Sequence, residues 1–151
     1  RRLAVANTHL YSHRDFPDAK LWQSLSLIRQ LDALCNRQRE TLPCIMAGDL
    51  NSGPDSSVYE FLATQGVSRG HPDLQPRHTA QGFPVNVLPD ARQIAHRLPR
   101  VSSYASVLGL EPDFTNLTQQ FRGTLDYIWY DSSAIRCAAV APLLPRPGGR
   151  A

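Results

Sequence analysis

Apolar and polar positions along this chain follow two periods, one of strands and one of helices. Residues 3–10, LAVANTHL, are β-compatible and turn polar at their end, which predicts a strand from Leu3 to Leu10. Pro17-Asp18 then opens a helix predicted to run to about Arg39. Within it Leu21, Leu25, Ile28, Leu31 and Cys35 recur at steps of three and four, while Lys20, Arg29, Arg37 and Glu40 lie mostly off that stripe. Trp22 is read as core. The apolar run from Pro43 to Ala47 predicts a buried second strand that breaks off into Gly48-Asp49-Leu50-Asn51-Ser52. After a turn at Gly53-Pro54, Ser57-Val58-Tyr59-Glu60 fits a capping box for a helix through about Gln65, with Gly66 as terminator. Val67 to about Pro89 reads as a long surface loop, and Asp90 to Leu98 as a short helix. Phe114-Thr115-Asn116 reads as a short strand or loop, Gly123 to Tyr130 as the strongest strand, and Cys137 to Leu144 as the last one. The Pro-Arg-Pro-Gly-Gly tail is predicted to be disordered. Strand, helix, strand, helix is the order of an α/β domain.

Composition narrows this picture without redirecting it. The 151 residues, 42% of them hydrophobic, suffice for one domain with a real core. No apolar run approaches the length of a membrane span, nothing at the start resembles a signal peptide, and no membrane partner is expected. The chain opens at Arg1-Arg2 directly before a strand, and its single methionine is Met46, so it reads as a piece of a longer protein. Cys35, Cys44 and Cys137 are odd in number and sit in apolar context, as reduced small hydrophobes of an intracellular protein do. A net charge of +3 permits a polyanionic partner but is too mild to establish one.

The candidate chemistry lies at strand ends. Side chains two apart on a strand share a side, so Asp49 and Asn51 are predicted to project together, with Gly48 letting the backbone crowd there. A carboxylate beside a carboxamide suits a divalent cation and a phosphate. The ordinary reading of such a pair is the turn that ends the strand. Asn7 and His9 repeat the device at the first strand, where a lone histidine satisfied by a carbonyl is the plainer reading. Asp126 stands inside the strongest strand, sharing a face with Thr124 and Ile128, where a cation or an arginine must compensate it. His71 and His78 have no metal-ligand company and read as solvated. Taken together, the polar strand ends suit phosphodiester chemistry: carboxylates hold Mg²⁺ while His and Asn donors stabilise phosphoryl charge. No Ser-His-Asp spacing, Walker loop or Rossmann glycine pattern competes.

Asn7-Thr8-His9-Leu10, Gly48-Asp49-Leu50-Asn51-Ser52 and Leu125-Asp126-Tyr127-Ile128 occur in the order typical of the endonuclease/exonuclease/phosphatase superfamily, which the sequence resembles. Asp18-Ala19-Lys20-Leu21-Trp22-Gln23, Val58-Tyr59-Glu60-Phe61-Leu62, Thr115-Asn116 and Phe121-Arg122-Gly123 are similar to the carbon-catabolite-repressor type poly(A) deadenylases. Angel proteins and 2′,5′-phosphodiesterases share much of this pattern. The resemblance implies a partial four-layer α/β/β/α sandwich, the second half of a DNase I-like domain over residues 1–144. It also implies a Mg²⁺-dependent 3′-to-5′ exoribonuclease that releases 5′-AMP. By this resemblance Asp49 helps activate the attacking water, Asn51 contacts the scissile phosphate, and His9 stabilises the same group. Asp126 joins Asp49 in the metal-binding acidic set, and Asn7 and Asn116 line the substrate site. Phe121 stacks on a base with Arg122 as a cation beside it, though it reads equally as a core phenylalanine.

The family's metal-binding Glu and its closing Ser-Asp-His have no counterpart in this sequence. The chain is therefore expected to expose an apolar sheet face and to be inactive alone. The implied partners are the poly(A) 3′ end of RNA and subunits of a deadenylase complex, in the cytoplasm or nucleus. Two alternatives stand beside this reading. One is a phosphoesterase of the same fold acting on 2′,5′-oligoadenylate, a phosphoinositide or a sphingolipid; the other is a non-catalytic RNA-binding remnant.

Overall fold

The computed structural model describes residues 2–36, 42–78, 84–85, 87–88 and 94–143. In chain order its elements are β1 (Ala4–His9), α1 (Pro17–Cys35), β2 (Cys44–Asp49), α2 (Ser57–Thr64), a 3₁₀ turn (Pro72–Leu74), β3 (Arg77–His78) and β4 (Pro84–Val85). There follow β5 (Arg100–Ser102), α3 (Ser103–Leu108), β6 (Asn116–Leu117), β7 (Arg122–Gly123) and β8 (Asp126–Asp131). The main sheet has the order β1-β2-β8-β5. Strands β1 and β2 are parallel, with α1 as the crossover, and β8 runs antiparallel to both β2 and β5. This is the α/β architecture that the alternation predicts.

Burial along the strands alternates as a half-covered sheet requires. Ala4, Cys44, Met46, Tyr127 and Trp129 point to one side, where Leu21, Leu25, Ile28 and Leu31 of α1 and Val58, Phe61 and Leu62 of α2 close the core. Tyr59 lies edge-on to Trp129 at 5.1 Å, joining α2 to the sheet. The opposite side is open: Val5 is 69% and Ile128 49% exposed. Ile45, Ile128 and Tyr130 floor a cleft of about 400 Å³ on that side, rimmed by Tyr104, Ile135 and Val140. The bare apolar face expected from the sequence is present.

Element ends differ from the sequence reading in instructive ways. Helix α1 ends at Cys35 with Asn36 as its cap, short of Arg39, which lies outside the described residues. Trp22 is not core but 48% exposed, because it falls off the apolar stripe. Lys20, placed off the stripe, is 6% exposed. The cap of α2 is Ser56, whose hydroxyl accepts from Tyr59 N–H, while Ser57 N–H donates to Asp73. Glu60 therefore makes no capping box and turns to Ser68 and His71. Gln65, in the left-handed region, ends the helix in place of Gly66. His71 is not solvated: its ring is 11% exposed, and Nδ1 accepts from Asp73 N–H. His78 is exposed.

The stretch read as one loop holds the 3₁₀ turn and the β3–β4 pair. Of the helix expected over 90–98, residues 90–93 lie outside the described residues and 94–98 are not helical. Ala95 instead bridges Gly66, His96 N–H donates to Gln65, and the His96 ring meets the Phe61 carbonyl. Residues 137–143 form no strand, since Pro142 lacks a donor and no ladder partner is present among the described residues. The predicted tail from Pro145 onward lies outside the described residues. Cys35 and Cys44 are buried thiols, and Cys137 is half-buried and free.

Gly48 fixes the approach of β1 to β2. Its φ is +147°, and a Cβ there would sit 1.9 Å from the Thr8 carbonyl oxygen. Gly48→Ala should therefore destabilise the fold by about 3 kcal/mol. Denaturant unfolding with intrinsic Trp fluorescence reads this directly; a loss no larger than an ordinary exposed Gly-to-Ala exchange would contradict the close approach.

Candidate active site

The register of the central strands assembles the site. His9 pairs with Asp49 across β1 and β2, and Asp49 pairs with Asp126 across β2 and β8. Directly opposed residues in neighbouring strands present their side chains to the same face, so these three form one row at one end of the open face. Backbone bonds close that end: Leu10 N–H donates to Asp49 at 2.9 Å and Leu50 N–H to Leu125 at 2.8 Å. His9 Nε2 stands 3.7 Å from Asp49 Oδ2. Asn7 lies two residues back on the same side as His9, donating from Nδ2 to the Ala47 carbonyl at 3.1 Å.

Asn51 reaches the site by a different route from the predicted strand alternation. Strand β2 ends at Asp49, and Asn51 adopts a left-handed φ of 46°, a conformation that asparagine tolerates. Its N–H donates to Asp49 Oδ1 at 2.8 Å, so the Asx turn and the candidate site are one structure. Asn51 Nδ2 gives one proton to the Leu10 carbonyl at 2.8 Å, and the amide keeps a second.

Asp126 is exposed because it opens β8 instead of lying inside a longer strand. The stretch from Gly123 to Tyr130 is broken: Thr124 is buried and donates to Pro112, and so does not share a face with Asp126. The Asp126 carboxylate accepts from Thr115 Oγ1 at 2.7 Å, and Thr115 Oγ1 in turn accepts from the N–H groups of Leu125 and Asp126. Asn116 is half-buried in β6, beside this anchor, and pairs with Gly123 of β7. Phe121 is 43% exposed and folds over Gly123, where a Cβ would come within 2.9 Å of its ring. Arg122 turns away from Phe121: its guanidinium lies 4.8 Å over the Phe114 ring and 3.4 Å from Asp113.

Two contributors escaped the sequence reading. Thr115 was visible only as a neighbour of Asn116, and its contact with Asp126 depends on the β6–β7 hairpin folding back. Lys20 Nζ donates to the Asn51 carbonyl at 2.7 Å. Burial lowers its pKa, against the opposing pull of Asp73, Asp49 and Asp15. A Lys one turn into a helix, ahead of the apolar stripe, is the only signal that could have marked it.

Asp49 and Asp126 are the residues that could hold a divalent cation. No group of three or more His, Cys, Asp or Glu side chains suited to a metal occurs among the described residues. Mg²⁺ commonly takes one or two carboxylates and completes its shell with water and phosphate oxygens, so this donor pair fits that ion. No helix among the described residues is long and apolar enough to cross a membrane.

Residues 3–148 match the Endonuclease/Exonuclease/phosphatase family. Carbon catabolite repressor protein 4 homolog 2 of Arabidopsis thaliana is 32% identical over 98% of this chain and 26% of the relative. The CCR4-Not complex 3′-5′-exoribonuclease subunit Ccr4 of Aspergillus niger is 30% identical over 92% of this chain and 23% of its own length. Among solved structures, ANGEL2, a 2′,3′-cyclic phosphatase in complex with adenosine-2′,3′-vanadate, superposes with a TM-score of 0.64 at 23% identity. That match covers 85% of this chain and 45% of ANGEL2. The human Nocturnin catalytic domain gives 0.56 at 22% identity, over 87% and 36%. The chain thus spans about a quarter of the curated relatives and under half of these solved chains. With its fold and nearly all of its sequence in agreement, the chain belongs to the endonuclease/exonuclease/phosphatase family.

Proposed function

We propose that the protein carrying this chain is a Mg²⁺-dependent 3′-to-5′ exoribonuclease that shortens poly(A) tails and releases 5′-AMP. The observation that carries this reading is the row His9–Asp49–Asp126 on the open side of three adjacent strands. Asp49 and Asp126 would hold Mg²⁺, which when bound would neutralise charge on the phosphoryl oxygens. The Asp49 carboxylate, already oriented by Asn51 N–H, accepts the proton of the attacking water. The spare amide proton of Asn51 and the ring N–H of His9 donate to the phosphoryl oxygens as negative charge grows there. Asn7 and Asn116 border the row, and Phe121 offers its ring to a base. The 3′-5′-exoribonuclease named among the relatives, itself a subunit of the CCR4-Not complex, supports RNA as substrate and a deadenylase complex as partner. A cytoplasmic or nuclear location follows from that role.

Residues 1–144 act, in this reading, as the second half of the catalytic domain. The exposed Val5 and Ile128 and the cleft beside them form the face against which the other half seats. Purified by itself, the 151-residue chain should therefore leave an adenosine oligonucleotide uncut in the presence of Mg²⁺. Cleavage by the isolated chain would overturn the half-domain assignment.

In the complete parent enzyme, Asp49→Ala should lower turnover on poly(A) by about 10³-fold with little change in melting temperature. Poly(A), a mixed-sequence RNA and an inositol phosphate assayed side by side test the substrate class. Retained activity in the variant removes Asp49 from the chemistry, and preference for the inositol phosphate removes the deadenylase assignment. Thr115→Val, which strips the donor from Asp126, should raise the Mg²⁺ concentration for half-maximal activity by about 10- to 100-fold. Thr115→Ser should restore it; equal losses in both variants would indicate a packing role only.

A further inference from the structure

The loop after His9 carries an aromatic cluster that the catalytic row does not use. Tyr11, Phe16 and Trp22 are 46%, 37% and 48% exposed. The Tyr11 and His13 rings lie nearly parallel, 6.2 Å apart, and Phe16 meets them edge-on at 5.7 and 4.9 Å. Gln23 Oε1 accepts from Tyr11 N–H at 2.9 Å, which ties this loop to α1. Between Tyr11 and Trp22 opens a cleft of about 490 Å³, completed by Ala19, Gln23 and Val87. The apolar stripe of α1 does not account for Trp22, and grouped aromatic rings facing solvent mark a binding surface.

We propose that this cleft is a nucleobase subsite for single-stranded RNA, seating a base at a distance from the reacting phosphate. The inference rests on the nuclease reading and extends it. Continuity with the row identifies the occupant: Tyr11 is two residues past His9, no more than about 7 Å of chain. The carbonyl of the intervening Leu10 is the acceptor for Asn51 Nδ2, so cleft and row share one stretch of backbone. Flat walls of Trp and Tyr suit a base of any identity, because each base offers a π-face. Arg14, in the loop between Tyr11 and Phe16, has a side chain 95% exposed, but Asp15 at 3.6 Å offsets part of its charge. Stacking therefore carries the recognition, with Arg14 as a secondary contact to the phosphate backbone. Phe121, at the turn of the β6–β7 hairpin whose neighbour Thr115 anchors Asp126, also exposes its ring.

The test uses the complete parent enzyme with Trp22→Ala, Tyr11→Ala and the conservative Trp22→Phe. Kinetics are measured on hexa-adenylate, on di-adenylate and on the small chromogenic diester bis(p-nitrophenyl) phosphate. Trp22→Ala and Tyr11→Ala should each raise KM for hexa-adenylate roughly tenfold. Both should leave kcat, the dinucleotide and the chromogenic diester unchanged, and Trp22→Phe should recover most of the affinity. Hexa-adenylate should also quench wild-type fluorescence through Trp22, a signal absent from Trp22→Phe even where binding persists. If hexa-adenylate KM stays within about twofold of wild type in both alanine variants, where stacking predicts far more, the cleft lies off the RNA path and the subsite is refuted alone. Equal losses on all three substrates indicate lost packing and refute it too. A parent enzyme that cleaves neither oligonucleotide brings down the nuclease reading and this subsite together.

Discussion

The close approach of Gly48 to the Thr8 carbonyl is the constraint on which the site depends. Only a residue without a Cβ allows β1 and β2 to meet there at the observed separation, since that atom would stand 1.9 Å from the oxygen. The contact falls one residue before the row, and β2 is the shared partner of β1 and β8. Whatever shifts β2 therefore moves Asp49 against His9 on one side and against Asp126 on the other. A slip of one residue would turn a whole set of side chains to the helix-covered face.

Around that constraint, short polar contacts hold the row in place without crossing its open side. Asn51 in its left-handed turn gives N–H to Asp49 and an amide proton to Leu10. Lys20 enters from below to bind the Asn51 carbonyl, and the Tyr127 hydroxyl lies 2.9 Å from the carbonyls of Ser52 and Thr124. Burial holds that phenol well above the usual range, so it remains a donor. Thr115 does for Asp126 what Asn51 does for Asp49, giving each carboxylate one fixed donor. The second oxygen of Asp49 stands 3.7 Å from His9 Nε2.

The two faces of the sheet divide the labour. The helix-covered face holds the aromatic and aliphatic core, with Tyr59, Tyr127 and Trp129 in ring contact. The uncovered face combines the polar row at one end with bare Val5 and Ile128 behind it. Covering that face would gain about 25 cal/mol per Å² of apolar surface removed from water. The bare apolar patch and the polar row thus lie on one and the same face of the sheet.

How much was legible in the sequence depends on the range of the interaction that decided each feature. The stripe Leu21, Leu25, Ile28, Leu31, Cys35 and the apolar run before Gly48 are local periodicities, and they determined α1, β2 and the α/β class. Local residue order likewise marked Asn7, His9, Asp49, Asn51 and Asp126, because polar groups ending apolar strands stand out from their neighbours. Trp22, Lys20 and His71 were misplaced, since whether a side chain is bare or buried depends on which distant segment covers it: Trp22 stays half bare beside Tyr11 and Val87, the Asn51 turn meets Lys20, and Glu60 and Asp73 flank His71. The anchor of Asp126 by Thr115 spans eleven positions and exists only once a hairpin folds back. The sequence by itself determined α1, β2 and the α/β class, and it marked the candidate polar residues at the strand ends. Only the tertiary structure decided that these residues meet, because strand register is set by hydrogen bonds between segments far apart in the chain, and no local pattern encodes it.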